Sequence, residues 1–244
     1  MKMKKILTIL FVLLISFVSV GQEYDTTLKF LGIPIDGKKS DMIASIKLQG
    51  FREVPDSELL IGEFNGLESH IGLAENRGKV YRVVVFDAQT RDEGQIRIRY
   101  NNLIRQFENS NGKYFSLFPN EPIPEEEDIS YEILVHQKQY QAAFHYNPIY
   151  NDEDAKNKLI KETTEECRQL VEETKDNKTI GDITLGEFYS DEDNFKNLVA
   201  ITAGQKVFKM SNSLVWFTIC EHRGEYYIGL YYDNLDNKVS GEDL

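Results

Sequence analysis

Leu214-Val215-Trp216-Phe217-Thr218-Ile219-Cys220-Glu221-His222-Arg223-Gly224-Glu225-Tyr226-Tyr227-Ile228-Gly229-Leu230-Tyr231-Tyr232-Asp233 is the stretch that decides the fold. Its two arms are rich in β-branched and aromatic residues, alternate with period two, and are separated by Arg223-Gly224, the punctuation of a two-residue hairpin loop. That loop fixes the register. Trp216 faces Tyr231, Thr218 faces Gly229 and Cys220 faces Tyr227 on one side; Val215, Phe217 and Ile219 meet Tyr232, Leu230 and Ile228 on the other. The second set is wholly apolar and belongs on a core. The first is an aromatic row with a bare glycine at its centre, and it reads in two ways. It is either a surface packed under a helix or a flat binding face for a sugar ring or a partner protein, with Trp216, Tyr227 and Tyr231 as the contact residues.

Working outward, residues 28–35 alternate as a strand closed by Asp36-Gly37, and a helix starts near Ser40 and ends at Gly50 in the left-handed position. Strands follow at 59–64, 68–75 and 79–86, punctuated by Asn65-Gly66 and Arg77-Gly78, and then a helix over 92–108 with Ile96, Tyr100, Leu103, Ile104 and Phe107 on one face. Residues 119–128 hold three prolines and five carboxylates and read as a solvated connection. Beyond them, 131–146 reads as one long strand or a hairpin. A helix over 152–173 carries Leu159, Ile160, Thr163, Cys167, Leu170 and Val171 on a stripe, and Ser190 with Asp193 frames a short helix through Val199. Residues 206–210 read as a strand leading into the last hairpin.

Hairpins interleaved with amphipathic helices predict an α+β fold, an antiparallel sheet with helices packed on one face. The region 22–244 forms either one body or two similar halves, 24–118 and 131–244, joined by 119–130. An offset of 146 residues speaks for two halves: Glu75-Asn76-Arg77-Gly78 meets Glu221-His222-Arg223-Gly224, Tyr81 meets Tyr227 and Asp87 meets Asp233.

Residues 1–21 have another character. Lys2, Lys4 and Lys5 precede an apolar run from Ile6 to Val20 that ends in Ser19-Val20-Gly21, the layout of a cleaved secretory signal. The run is shorter than the roughly 20 apolar residues of a spanning helix, so a soluble mature chain starting near Gln22, periplasmic or secreted and without a transmembrane segment, is expected. The whole chain has 28 basic and 40 acidic residues, and setting the three leader lysines aside deepens the charge imbalance. Such a surface repels a phosphate backbone, which excludes nucleic acid as a partner class.

The reactive constellations are missing. His70, His136, His145 and His222 show no zinc-ligand spacing, and Asp176, Gly181 and Glu187 sit at calcium-loop positions 1, 6 and 12 while Lys178 and Ile180 occupy positions where oxygen ligands are needed. There is no nucleophile elbow, Ser-x-x-Lys or phosphate loop. No catalytic, cofactor-binding or metal residue is therefore assigned and no cofactor is expected. Cys167 and Cys220 are the only cysteines; an oxidising compartment allows them to pair, and separate buried thiols are the alternative.

Phe30-Leu31-Gly32-Ile33-Pro34-Ile35-Asp36-Gly37, the helix ending Gly50-Phe51, Gly62-Glu63-Phe64, Tyr232-Asp233-Asn234 and the final Gly241-Glu242-Asp243-Leu244 resemble a group of uncharacterised exported proteins of gut-dwelling Gram-negative bacteria. The resemblance implies an exported α+β protein and brings no activity, cofactor or site residue. The function expected is non-catalytic binding of a partner protein or a glycan. Its rivals are a periplasmic hydrolase using dispersed carboxylates and a structural part of an envelope assembly that leaves a strand edge open.

Overall fold

The computed structural model describes residues 26–176, 179–180 and 183–238; the expected leader, the maturation point at Gln22 and the final Gly241–Leu244 lie outside these. The chain divides into two compact units, a sheet unit (Thr26–Pro148 with Met210 onward) and a helical unit within Ile149–Lys209.

The sheet unit is α+β. After a small hairpin of β1 (Lys29–Phe30) and β2 (Ile33–Pro34), eight strands form one antiparallel sheet: β3 (Arg52–Glu53), β4 (Leu60–Phe64), β5 (Leu67–Asn76), β6 (Lys79–Asp87), β7 (Tyr114–Phe115), β8 (Gln141–Tyr146), β11 (Ser213–His222) and β12 (Glu225–Asn234). Their spatial order is β3-β4-β5-β6-β12-β11-β8-β7. The three tight turns follow from their residues. Asn65-Gly66, Arg77-Gly78 and Arg223-Gly224 all hold both central residues at positive φ, from 50° to 81°, the twist that suits a two-residue hairpin. The last hairpin has the register read from its sequence, with Trp216 opposite Tyr231, Thr218 opposite Gly229 and Cys220 opposite Tyr227.

Two helices pack on the face that carries Phe217, Leu230 and Val85. Helix α1 (Lys39–Leu48) buries Met42 and Ile46 and lies against β2 and β5. Its first turn has no side-chain cap, because Lys38 occupies the N-cap and Ser40 instead donates to the Asp41 carboxylate. Helix α2 (Glu93–Glu108), capped by Asp92, buries the five residues expected on its inner face. Phe107 stacks on Phe144 at 4.8 Å and Tyr100 meets Phe217 edge-on at 5.2 Å, so aromatic contacts fix the helix across β8 and β11. Gly62 is required here: a Cβ at that position would sit 2.5 Å from the Phe51 ring.

Several local expectations are corrected. Residues 119–130 are a strap along α2 rather than a solvated linker: Ile123 and Ile129 are buried, and Asn101 bonds both the N–H and the C=O of Ile123. Strands from both sides of that strap share one sheet, with β6 paired to β12, and the observed division falls instead around residues 149–209. Residues 131–146 are helix α3 (Ile129–His136) followed by β8. The 146-residue offset matches the two turns but not the strands. A register shift between Ala74 and Glu75 puts Val83, Val85 and Asp87 toward the helices, whereas their counterparts Gly229, Tyr231 and Asp233 face the other way.

The helical unit holds α4 (Glu153–Thr174), the short pair β9 (Thr179–Ile180) and β10 (Ile183–Thr184), α5 (Leu185–Tyr189) and α6 (Glu192–Met210). Helix α4 turns Ala155, Leu159, Thr163 and Cys167 inward, while Ile160 is exposed. The capping box is Thr184 with Glu187 on α5, and α6 starts on the Asp191 carboxylate, which accepts from the N–H groups of Asp193 and Asn194. Helix α6 runs on through 206–210, so the strand expected there is absent.

Candidate functional site

The face of the sheet opposite α2 is built from cross-strand rows. One runs Ala143–Trp216–Tyr231–Val84–Gly72, and its neighbour runs His145–Leu214–Asp233–Arg82–Ala74. Where these rows meet, four side chains lock together. Asp233 is 2% exposed and its carboxylate accepts from Arg82 Nε at 2.6 Å, Arg82 Nη2 at 2.7 Å and Trp216 Nε1 at 3.0 Å. The indole lies flat on Tyr231, with centroids 3.9 Å apart and planes 7° from parallel. The guanidinium carbon stands 5.3 Å from the Tyr231 ring centre and 5.6 Å from that of Trp216, within cation–π range. The hydrogen bonds to Asp233 push the Arg82 pKa further above its ordinary value.

Gly229 makes room for this stack. A Cβ there would lie 3.1 Å from the Tyr231 hydroxyl and 3.3 Å from Cys220 Sγ, so the bare position lets Tyr231 lean along its own strand. Phe86 closes the row edge-on to Tyr227 and Tyr231, at 6.2 and 6.5 Å. Burial raises the pKa of Cys220, Tyr227 and Tyr231, so at neutral pH the thiol and both phenols keep their protons. Asp233 is engaged by three donors. This cluster therefore offers rigid aromatic surface and filled hydrogen bonds, not a thiolate or a free base.

Trp216, Tyr227 and Tyr231, the contact residues read from the sequence, lie together and each is half-buried. One side of the indole is taken by Tyr231; its neighbour on the other side is Ala143 of β8, exposed and carrying only a methyl. Arg82 and its bond to Asp233 were not read from the sequence, because they depend on β6 lying beside β12. In the sequence Asp233 stands out only as the counterpart of Asp87 at the 146-residue offset.

Both cysteines are free, so the Cys167–Cys220 bridge considered above is absent. They belong to different units, and Cys167 lies 3.7 Å from the Thr202 hydroxyl within the helical one. Among the described residues no group of three His, Cys, Asp or Glu side chains is placed to hold a metal ion, and no helix is long and apolar enough to cross a membrane. In the helical unit an open groove of about 720 Å³ is lined by Arg168, Gln169, Glu172, Tyr189 and Phe195 among others; Glu172 there is paired with Lys175 at 2.6 Å.

The sheet edges are blunt. Strands β3 and β7 are two residues each, and past the end of β7 the Asn120 amide takes a strand's place against β8, accepting from Ala143 N at 3.0 Å and donating to Ala143 O at 3.1 Å. Short edges and side-chain plugs oppose strand addition. Comparison with protein-family models, curated proteins and solved structures finds no match to the chain.

Proposed function

We propose that the chain is an exported, non-catalytic binding protein that receives a glycan ring on the free side of Trp216. The observation that carries this reading is the fixed indole, held by Tyr231 on one side and by Asp233 at its Nε1, beside an exposed alanine. A ring held in one rotamer loses little freedom when a ligand arrives, so apolar contact with the flat underside of a sugar is converted into affinity rather than spent on ordering the site. The blunt edges speak against an assembly part that joins by strand exchange. Export rests on residues 1–21, and a mature N-terminus within a few residues of Gln22, read by mass spectrometry, is its own test.

Trp216 is the chain's one tryptophan, so its emission reports this site alone. Titration with a panel of oligosaccharides should quench or shift that emission for one class. Trp216→Ala, followed by calorimetry because the variant has no tryptophan, should weaken the binding on the order of 30-fold, as for a central aromatic contact. Ala143→Leu should block it while leaving the melting temperature unchanged, since that methyl is exposed. A panel in which no saccharide moves the emission, together with Ala143→Leu behaving as wild type toward every ligand, would remove the reading.

A further inference from the structure

An apolar stripe on a helix is normally covered by a neighbouring element. Helix α3 reads Ile-Ser-Tyr-Glu-Ile-Leu-Val-His, and Ile129 is its one buried residue. Tyr131, Leu134 and Val135 stand at i, i+3 and i+4, share one face, and are 51%, 78% and 55% exposed. The helix is anchored, so this stripe is presented in a fixed place. Asp128 caps it by accepting from Tyr131 N at 2.7 Å. Glu93 of α2 accepts from Ile129 N at 2.7 Å and from the Ser130 hydroxyl at 2.8 Å, and that hydroxyl also meets the Tyr226 hydroxyl at 2.8 Å. Gln137, in the left-handed conformation, ends it.

The segment of chain that carries the stripe is acidic, and the one arginine that reaches it, Arg97 of α2, is taken up by the Glu127 carbonyl and by Glu93. Residues 121–138 carry Glu121, Glu125, Glu126, Glu127, Asp128 and Glu132 against Lys138 alone, and Lys138 is already bonded to Glu127. We propose that this face of α3 docks a segment of a partner protein that bears an apolar stripe flanked by lysine or arginine. Charge complementarity selects that occupant. A second copy would bring the same carboxylates to the contact on a chain whose net charge is −12, and an anionic lipid surface would be repelled in the same way. The proposal does not depend on the glycan reading, because it uses other residues of the sheet unit.

The probe is a fluorescein-labelled amphipathic peptide of leucine and lysine, with a leucine-and-glutamate peptide of the same pattern as control, followed by anisotropy on the full chain. The lysine peptide should bind, more weakly as salt rises, and the glutamate peptide should not. Leu134→Ser with Val135→Ser should weaken binding at least tenfold; Glu125→Gln with Glu126→Gln should weaken it and flatten its salt dependence; Trp216→Ala should leave it unchanged. Melting curves accompany each variant, and Leu134→Lys serves as a second variant at a position where solvent already surrounds the side chain. Peptide binding that survives both changes at Leu134 overturns the proposal. So does a wild-type dimer in sedimentation that the double serine variant disperses, which assigns the face to a second copy, or co-sedimentation with phosphatidylglycerol vesicles that the same variant loses, which assigns it to lipid.

Discussion

Replacing Asp233 by Asn keeps the side chain's shape and removes its charge at the centre of the Arg82–Trp216–Tyr231 cluster. The carboxylate accepts three hydrogen bonds, two of them from one guanidinium fork. An amide has one accepting oxygen, so at least one Arg82 donor would face the new NH2 group. Breaking a fully buried ion pair from one side costs about 3–5 kcal/mol. Asp233 is 3% exposed at its side chain but Arg82 keeps 23%, and water recovers part of the loss, which places the expected destabilisation at about 2–3 kcal/mol. For a chain of this size that is a fall in Tm of roughly 4–12 °C. Trp216 emission is the signal of choice, because it follows the sheet unit and not the helical one. Arg82→Met in the Asp233→Asn background closes a double-mutant cycle, and coupling of about 1 kcal/mol or more is expected for groups in direct contact. Destabilisations that add, or an Asp233→Asn protein within about 0.5 kcal/mol of wild type, would refute the idea that this pair holds the indole.

Gly62→Ala drives a methyl into the Phe51 ring and should cost about 1–3 kcal/mol by overcrowding; a urea midpoint equal to wild type would show that Phe51 yields freely. Gly50, at φ 96° with open space around its Cβ position, should lose on the order of 1 kcal/mol as Ala from backbone strain alone, and superimposable unfolding curves would dismiss the left-handed cap. Burial holds the His145 pKa below its ordinary value, which favours the neutral ring in the folded state. Its contribution to stability is therefore full above the unfolded value of about 6.5 and lost as pH falls through the lower folded one. NMR titration of that imidazole should give a midpoint under 6.5, and a midpoint at or above it would reverse the sign.

Much of the sheet was legible because its signals are local. A glycine after Asn or Arg, flanked by period-two runs, states a hairpin and its register, and the five apolar positions of α2 repeat at helical spacing after a capping Asp92. Helix α3 was misread because Ile-Ser-Tyr-Glu-Ile alternates as well as any strand; what makes it helical is the bond of Asp128 to Tyr131 N and the grip of Glu93 from another helix. Residues 206–210 hold Val207 and Phe208, both strand-favouring, yet they continue a helix with no breaker before them other than Gly204, which the helix absorbs. In the strap, prolines and carboxylates hid Ile123 and Ile129, whose burial needs Asn101 to satisfy the backbone of Ile123 and Glu93 to accept from the N–H of Ile129. At the candidate site the aromatic row was visible from one hairpin, whereas Arg82 arrives from a strand some 150 positions away, a pairing that no local period encodes.

The helical unit leaves the sheet after β8 and returns at the start of β11, and those two strands are neighbours, His145 lying opposite Leu214. This connectivity bears on the order in which the molecule assembles. Were residues 149–209 still a loose coil, bringing β8 and β11 together would close a long loop; with that unit already folded, the effective loop shrinks to a few residues and the closure becomes easier by about 2 kcal/mol. Early formation of α4 and α6 would thus act as a clasp that speeds completion of the sheet, and changes that loosen those helices would slow its appearance.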